Sequence, residues 1–295
     1  MAGILSGLEK LGLGNLKEAN LYDEAKKNEK AVEGGAAHVQ AQAQAPVVQE
    51  HDFLFEKAQK CPVCDTEFKA KTVKIGRARL KGTDMDLRPK YESIDLLKYD
   101  VIVCPKCGYA ALSRYFKYMT GTQAKLITQN ITPNYKGNTQ TGDTISYEEA
   151  LERYQLALAN AIVKRARASE KAYICLKSAW LLRGYAESLD ESAEDYKTKK
   201  EEMETQENEY LQNALEGFLA ARQSETFPMC GMDEQTVDYL ISVMAIRFEQ
   251  YDVASKLIGS IITSTAASPR MKDKARDLKE ILVQKVKEKN SAAKK

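Results

Sequence analysis

Apolar residues recur at helical spacing through the second half of this chain and only sparsely in the first. From Ser146 onward, Tyr147, Ala150, Leu151, Tyr154 and Leu158 fall on one face of a 3.6-residue period. Ser146 and Glu149, in the run S-Y-E-E, read as a capping box that opens a helix to about Ala168. Further helices are predicted from Ser169 to about Tyr185, over residues 190–223, from a cap at Asp233 to about Gln250, and from Asp252 to about Ser264. A last one starts with Ser268 as N-cap and Pro269 at the first helical position, and trails into the basic tail Lys285–Lys295. Phe227-Pro228-Met229-Cys230-Gly231 breaks the pattern between the third and fourth of these helices.

The first half reads differently. Phe68–Leu80 and Tyr91–Val103 carry the β-branched and aromatic residues of strands, with Gly82-Thr83-Asp84 as a turn; Ala110–Met119 reads as a helix and Thr120–Asp143 as a connecting loop. Ahead of them, residues 28–50 shift to Ala, Gln and Gly, the composition of a mostly disordered linker. Residues 1–27 open with a short amphipathic patch, Ile4, Leu5, Leu8 and Leu11, interrupted by glycines at 7, 12 and 14. Such a patch docks on a partner, on a membrane surface or back on its own body.

Three helical stretches share a large residue, an alanine three positions on and another large residue four later: Tyr147/Ala150/Tyr154, Leu211/Ala214/Phe218 and Tyr251/Ala254/Ile258. This is the pattern of the second helix of a tetratricopeptide (TPR) unit, at irregular spacing; an ordinary antiparallel helical bundle also places small residues at close helix contacts. The fold class expected is therefore α+β, mostly α: a small β module over residues 51–120, a connection over 121–145, a TPR-like antiparallel helical array over 146–290 and a basic tail at 291–295.

The chemistry lies in the cysteines. Four of the six stand in two Cys-x-x-Cys hooks, Cys61-Pro62-Val63-Cys64 and Cys104-Pro105-Lys106-Cys107, 39 residues apart. Each hook turns two sulfurs toward one point, and two hooks complete the tetrahedral four-thiolate set that zinc prefers. Metal ligands Cys61, Cys64, Cys104 and Cys107 are expected, holding one structural Zn2+ in an enlarged zinc ribbon or treble-clef-like module whose second hook runs into the helix at Ala110. Gly108 supplies the backbone freedom that points amides at sulfur, and Lys60 and Lys106 favour thiolates. Four protein ligands leave no position for water or substrate, so the metal itself is not expected to be catalytic and no catalytic residue is assigned. A thioredoxin-type reading needs one such hook at a helix start in a βαβ setting, which this sequence lacks.

Charge adds one alternative. Net charge is only +2, yet residues 61–120 hold twelve Lys and Arg against seven Asp and Glu, and residues 146–225 hold eleven against sixteen. Lys69, Lys71, Lys74, Arg77, Arg79, Lys81, Arg88 and Lys90, interleaved with Phe68 and Tyr91, make a ribbon able to track phosphates. The same charge also offsets a four-thiolate centre or meets the acidic helices. Cys230 is the first suspect for a thiol-dependent enzyme, against its reading as a buried loop anchor; Cys175 and Trp180 read as core, and His38 and His51 as unrelated to the cysteines. No run of about 18 apolar residues and no secretory leader pattern is present, which places the chain in the cytoplasm.

With Cys61-Pro62-Val63-Cys64-Asp65-Thr66-Glu67-Phe68, Cys104-Pro105-Lys106-Cys107-Gly108-Tyr109, Ala179-Trp180-Leu181-Leu182-Arg183-Gly184 and Phe227-Pro228-Met229-Cys230-Gly231-Met232 together, the chain resembles the uncharacterised bacterial domain-of-unknown-function family 2225. The resemblance covers roughly residues 55–280 and implies a zinc-ribbon-like head on a TPR-like body, with no activity attached. The expected function is a zinc-stabilised adaptor whose helical groove binds a protein partner; the alternative is a nucleic-acid-associated factor acting through strands 69–90.

Overall fold

Short strands form where β-branched and aromatic residues are bounded by tight turns, and in the computed structural model they pair as three antiparallel hairpins. Residues 4, 6–10, 12–16, 49–137 and 142–292 are described. The linker expected over 28–50, with His38, lies almost wholly outside the described residues, as do Leu5 and Leu11.

β1 (Leu54–Lys60) pairs with β2 (Glu67–Val73), β3 (Leu80–Thr83) with β4 (Pro89–Tyr91), and β5 (Val101–Val103) with β6 (Ala110–Leu112). The short strands expected within Phe68–Leu80 and Tyr91–Val103 are present at the ends of each stretch, with a turn between them. A 3-10 turn at Ile75–Arg77 separates β2 from β3, and another at Leu96–Tyr99 separates β4 from β5, held by Asp95 Oδ1 accepting from Leu97 N at 2.9 Å. The β3–β4 turn also falls later than Gly82-Thr83-Asp84. It runs from Asp84 to Arg88, closed by Asp84 N to Arg88 O at 2.9 Å, with Leu87 at φ 66.

The helix expected over Ala110–Met119 is absent. Ala110-Ala111-Leu112 pairs with Val101–Val103 and is almost completely buried, so burial against a partner strand outweighs the helical propensity of alanine. The helix comes later, inside the expected loop: α1 (Gly121–Asn130) starts from a reciprocal cap in which Gln123 N donates to Thr120 Oγ1 at 3.3 Å and Thr120 N to Gln123 Oε1 at 3.2 Å.

Six more helices follow among the described residues: α2 (Tyr147–Val163), α3 (Ala168–Ser188), α4 (Tyr196–Ser224), α5 (Glu234–Arg247), α6 (Tyr251–Thr263) and α7 (Pro269–Ala292). Their starts are mostly local. Ser146 Oγ accepts from Glu149 N at 3.1 Å, Asp233 Oδ1 from Thr236 N at 2.8 Å and Ser268 Oγ from Met271 N at 3.2 Å. At α2 the carboxylate of Glu149 is engaged with Arg153 at 2.7 Å. The start of α3 is not local: Ser169 is the second residue of the helix, and its N–H donates to the carboxylate of Glu225, beyond the end of α4, at 3.0 Å. The last helix runs through Ala292, where the sequence predicts a frayed tail.

Successive helices pack on one another, and the apolar side chains from Leu8 to Leu282 form one continuous core shared by the hairpins and the helices. Ala150, Ala214 and Ala254 are each 0% exposed. They stand on α2, α4 and α6, so alternate helices each carry a buried small residue.

A buried ion network fastens the β3–β4 hairpin to this body. Arg183 of α3 reaches Asp84 at 3.1 Å, Asp86 at 2.7 Å and Glu207 of α4 at 2.7 Å, and Arg247 of α5 reaches Glu207 at 3.1 Å. The Trp180 indole N–H donates to Asp86 at 3.0 Å, and Arg88, 3% exposed, reaches Glu187 at 2.5 Å. Carboxylates on several sides raise the Arg183 guanidinium pKa further, against the burial that opposes its charge. Removing one member leaves buried partners uncompensated. Asp86→Ala is expected to cost about 3 kcal/mol in urea unfolding, whereas Lys81→Ala, at an exposed position, stays within about 0.5 kcal/mol.

Candidate metal centre

Both hooks sit in the turns of hairpins, and the two turns are built alike. In the β1–β2 turn, Cys61 N donates to Thr66 O at 2.9 Å and Asp65 N to Cys61 O at 3.0 Å; in the β5–β6 turn, Cys104 N donates to Tyr109 O at 2.8 Å and Gly108 N to Cys104 O at 3.1 Å. Each turn needs a positive φ directly after its second cysteine, supplied by Asp65 (φ 55) and Gly108 (φ 73). The second hook therefore continues into strand β6. Two hairpin knuckles face each other, and the helix that a treble clef requires after its second hook is not there.

The amides point at the sulfurs. Val63 N lies 3.4 Å from Cys61 Sγ, the Cys64 amide also serves Cys61, the Lys106 and Cys107 amides serve Cys104, and the Tyr109 amide serves Cys107. Such donors stabilise thiolate and hold each ligand in one orientation.

The four sulfurs come together as the spacing predicts. Cys61 Sγ is 3.6 Å from Cys107 Sγ, Cys64 Sγ is 3.6 Å from Cys104 Sγ, and all four lie within 4.8 Å of one another. A disulfide would require about 2.05 Å. Sulfurs about 2.3 Å from a tetrahedral ion lie about 3.8 Å apart, so the spacing fits one central cation. Cys61, Cys104 and Cys107 are buried and Cys64 is half-buried, beside Thr66 Oγ1 at 3.2 Å.

Electrostatics favours the same occupant. Hydrogen bonds from the Cys107 and Cys61 thiols bring Cys104 down to about 2. The Cys104 sulfur in turn pushes Cys61 up to about 12 and Cys107 upward as well. Four sulfurs this close cannot all carry charge unless a cation sits among them.

Lys60 does not assist the thiolates as expected. It is exposed and paired with Asp65 at 3.0 Å.

Behind the second hook is a support that the sequence did not disclose. Asn160 of α2, 0% exposed, donates through Nδ2 to Gly108 O at 3.0 Å, and Thr132 Oγ1 donates to Cys107 O at 3.1 Å. A Cβ on Gly108 would meet the Tyr135 ring at 2.5 Å. The Tyr109 ring stacks on Phe116 at 5.0 Å, and Phe68 from the first hairpin meets Phe116 edge-on at 6.0 Å, joining the two hairpins.

The remaining candidates lie elsewhere. Cys175 is core, and the Trp180 indole is buried on Asp86. Cys230 is buried, with Sγ donating to Ser169 O at 3.3 Å, and burial pushes its thiol up to about 12. His51 is exposed beside Asp52.

The basic ribbon is largely engaged. Lys69 pairs with Glu56 at 3.0 Å, Arg79 with Glu92 at 4.0 Å, and Lys90 with Asp84 and Glu187 at 3.1 Å each. Lys71 donates to Gly142 O, while Lys74 and Arg77 donate to Asp52 O at 3.2 and 3.3 Å.

Wild-type chain is expected to carry close to one metal ion, and Cys104→Ser to lose it together with several kcal/mol of stability, read by elemental analysis and urea unfolding. Cys230 gives a pH signature. Its folded pKa of about 12 exceeds the ordinary 9.0 of an exposed thiol, so the folded state holds the proton more tightly. That contribution is complete below pH 9.0 and is lost as pH rises toward 12. Cys230→Ala should therefore show a flatter fall in stability than wild type across that window.

No curated protein and no solved structure matches this chain. A family model does, over residues 54–282, which include both knuckles, the Trp180–Arg183 joint and the Cys230 turn. The chain belongs to the family described as "uncharacterized protein conserved in bacteria (DUF2225)".

Proposed function

We propose that this chain is a zinc-stabilised protein-interaction adaptor of the cytoplasm, with a TPR-like helical body and no enzymatic activity. The closed sulfur set carries the reading. Four cysteines, three of them buried and all within 4.8 Å of one another, fill a tetrahedral shell and leave no position for substrate. Zinc is the ion that a four-thiolate tetrahedron suits best in a reducing compartment, where it stabilises and does not react. Cys230, the residue that a thiol enzyme would use, is a protonated anchor against Ser169. No described helix is long and apolar enough to cross a membrane.

The interaction role rests on the body. Alternate helices α2, α4 and α6 share the large–Ala–large triplet of TPR second helices, an arrangement that stacks helix pairs around a concave face suited to a peptide or partner helix. The nucleic-acid reading has no comparable support, because most of its basic side chains are already paired or hydrogen-bonded within the fold.

Elemental analysis is expected to identify zinc at about one atom per chain; iron in its place would overturn the structural-zinc assignment. Capture of the tagged full chain from its native cell is expected to recover a defined protein that survives nuclease treatment and moderate salt. Recovery that disappears on nuclease treatment and weakens steeply with salt would transfer the assignment to nucleic acid.

A further inference from the structure

Residues 4–16 are the part of the described chain that the proposed function leaves unused. They form two short 3-10 turns, Ser6–Glu9 and Gly14–Leu16. They bury Leu8 and Leu13 to 0% exposure, with Ile4 and Leu16 packed at the edge of the same core.

The seat is composite. α2 lies against the first turn, and Tyr210 of α4 donates its hydroxyl to the Ile4 carbonyl at 2.7 Å. The turn that follows α1 approaches so closely that a Cβ on Gly12 would run into the Asn134 carbonyl, and Gly12 itself sits at φ 81. Two leucine sockets, a phenol that grips a backbone carbonyl and a gap that admits only glycine are the means by which a receptor holds a short peptide.

The segment is organised as a ligand. Its backbone closes on itself through Gly12 N to Glu9 O at 3.0 Å and Leu13 N to Leu8 O at 2.9 Å. It adds no strand to any of the three hairpins. Residues 17–48 separate it from the rest of the described chain, and the family match begins only at residue 54.

The geometry points to residues 4–16 as a cis-acting occupant of a peptide seat on the helical body, displaced in trans by a leucine-bearing turn of a partner protein. The inference rests on the adaptor reading and gives it a site and a regulation. A tethered occupant competes at a high effective concentration, so a free peptide binds the occupied seat far more weakly than an open one.

The test uses a fluorescent synthetic peptide of residues 1–18 titrated into the full chain. Leu8→Asp with Leu13→Asp opens the seat by removing the leucine anchors, and Gly12→Val opens it independently through the backbone. Both variants are expected to bind the peptide at least tenfold more tightly than wild type, and a peptide carrying the two Asp substitutions to bind none of them. If neither variant binds better than wild type, or if both lose cooperative thermal melting, the segment is a fixed part of the core and the inference is overturned. The two readings separate cleanly. Peptide binding by the opened chain without any captured protein removes the adaptor role and leaves the seat; equal capture by wild type and the opened variants leaves the adaptor and removes cis occupancy.

Discussion

Convergence of four sulfurs is the constraint from which the head follows. Two turns 39 residues apart must face each other at 3.6 Å between sulfurs, so the intervening chain has to leave the cluster and return to it. It does so through the β3–β4 hairpin, flanked by the 3-10 turns at Ile75–Arg77 and Leu96–Tyr99. Neither β1–β2 nor β5–β6 is a sheet that would stand alone in water. The Tyr109–Phe116–Phe68 aromatic cluster joins the two marginal hairpins, and a cation held by the four sulfurs would crosslink them into one unit.

The head is then seated on the helices by two short stretches of the body. In Ala179-Trp180-Leu181-Leu182-Arg183-Gly184, Trp180 and Arg183 bind Asp86, and a Cβ on Gly184 would meet Asp95 Oδ2 at 2.7 Å. In Phe227-Pro228-Met229-Cys230-Gly231-Met232, the Cys230 carbonyl accepts from Arg114, just beyond β6, and Gly231 leaves room for that guanidinium. Arg114 also faces the Tyr115 and Tyr173 rings at 5.6 and 6.0 Å. These residues outside the cysteines are thus joint residues, and their chemistry is positional. A buried joint built of ions instead of hydrocarbon gains little net stability for its size, but it admits few alternative arrangements, because any shift strands a charge.

One turn links the two ends of this organisation. Residues 131–136 contact the second hook through Thr132 and Tyr135, and through Asn134 they abut Gly12 of the N-terminal segment. Tyr154, Tyr147 and Lys177 extend the same face of the body toward the head, reaching Leu97 O at 3.1 Å, Asp95 at 3.2 Å and Asp100 at 2.5 Å. Hooks, hairpins and the first helices of the body therefore share one packed interior.

The sequence by itself determined the convergence of the four cysteines and the helical body. Cys-x-x-Cys spacing is a local property, and so are the caps at Ser146, Asp233 and Ser268 and the alanines at 150, 214 and 254, which is why these were legible without coordinates. The Thr120–Gln123 cap was equally local and readable, yet the Thr, Asn and Gly around it argued for loop. Tertiary structure decided what depends on partners distant in sequence. Ala110-Ala111-Leu112 became a strand because Val101–Val103 and α2 were there to bury it. Glu225 capped α3 from the end of α4, Arg88 turned inward, and both Arg88 and Lys90 pair with Glu187, 99 and 97 residues away. The amphipathic patch at residues 4–11 carried no signal of where it would dock, since a stripe of apolar residues specifies only an apolar surface. Its place was settled by the sockets that α2, α4 and the 131–136 turn create together.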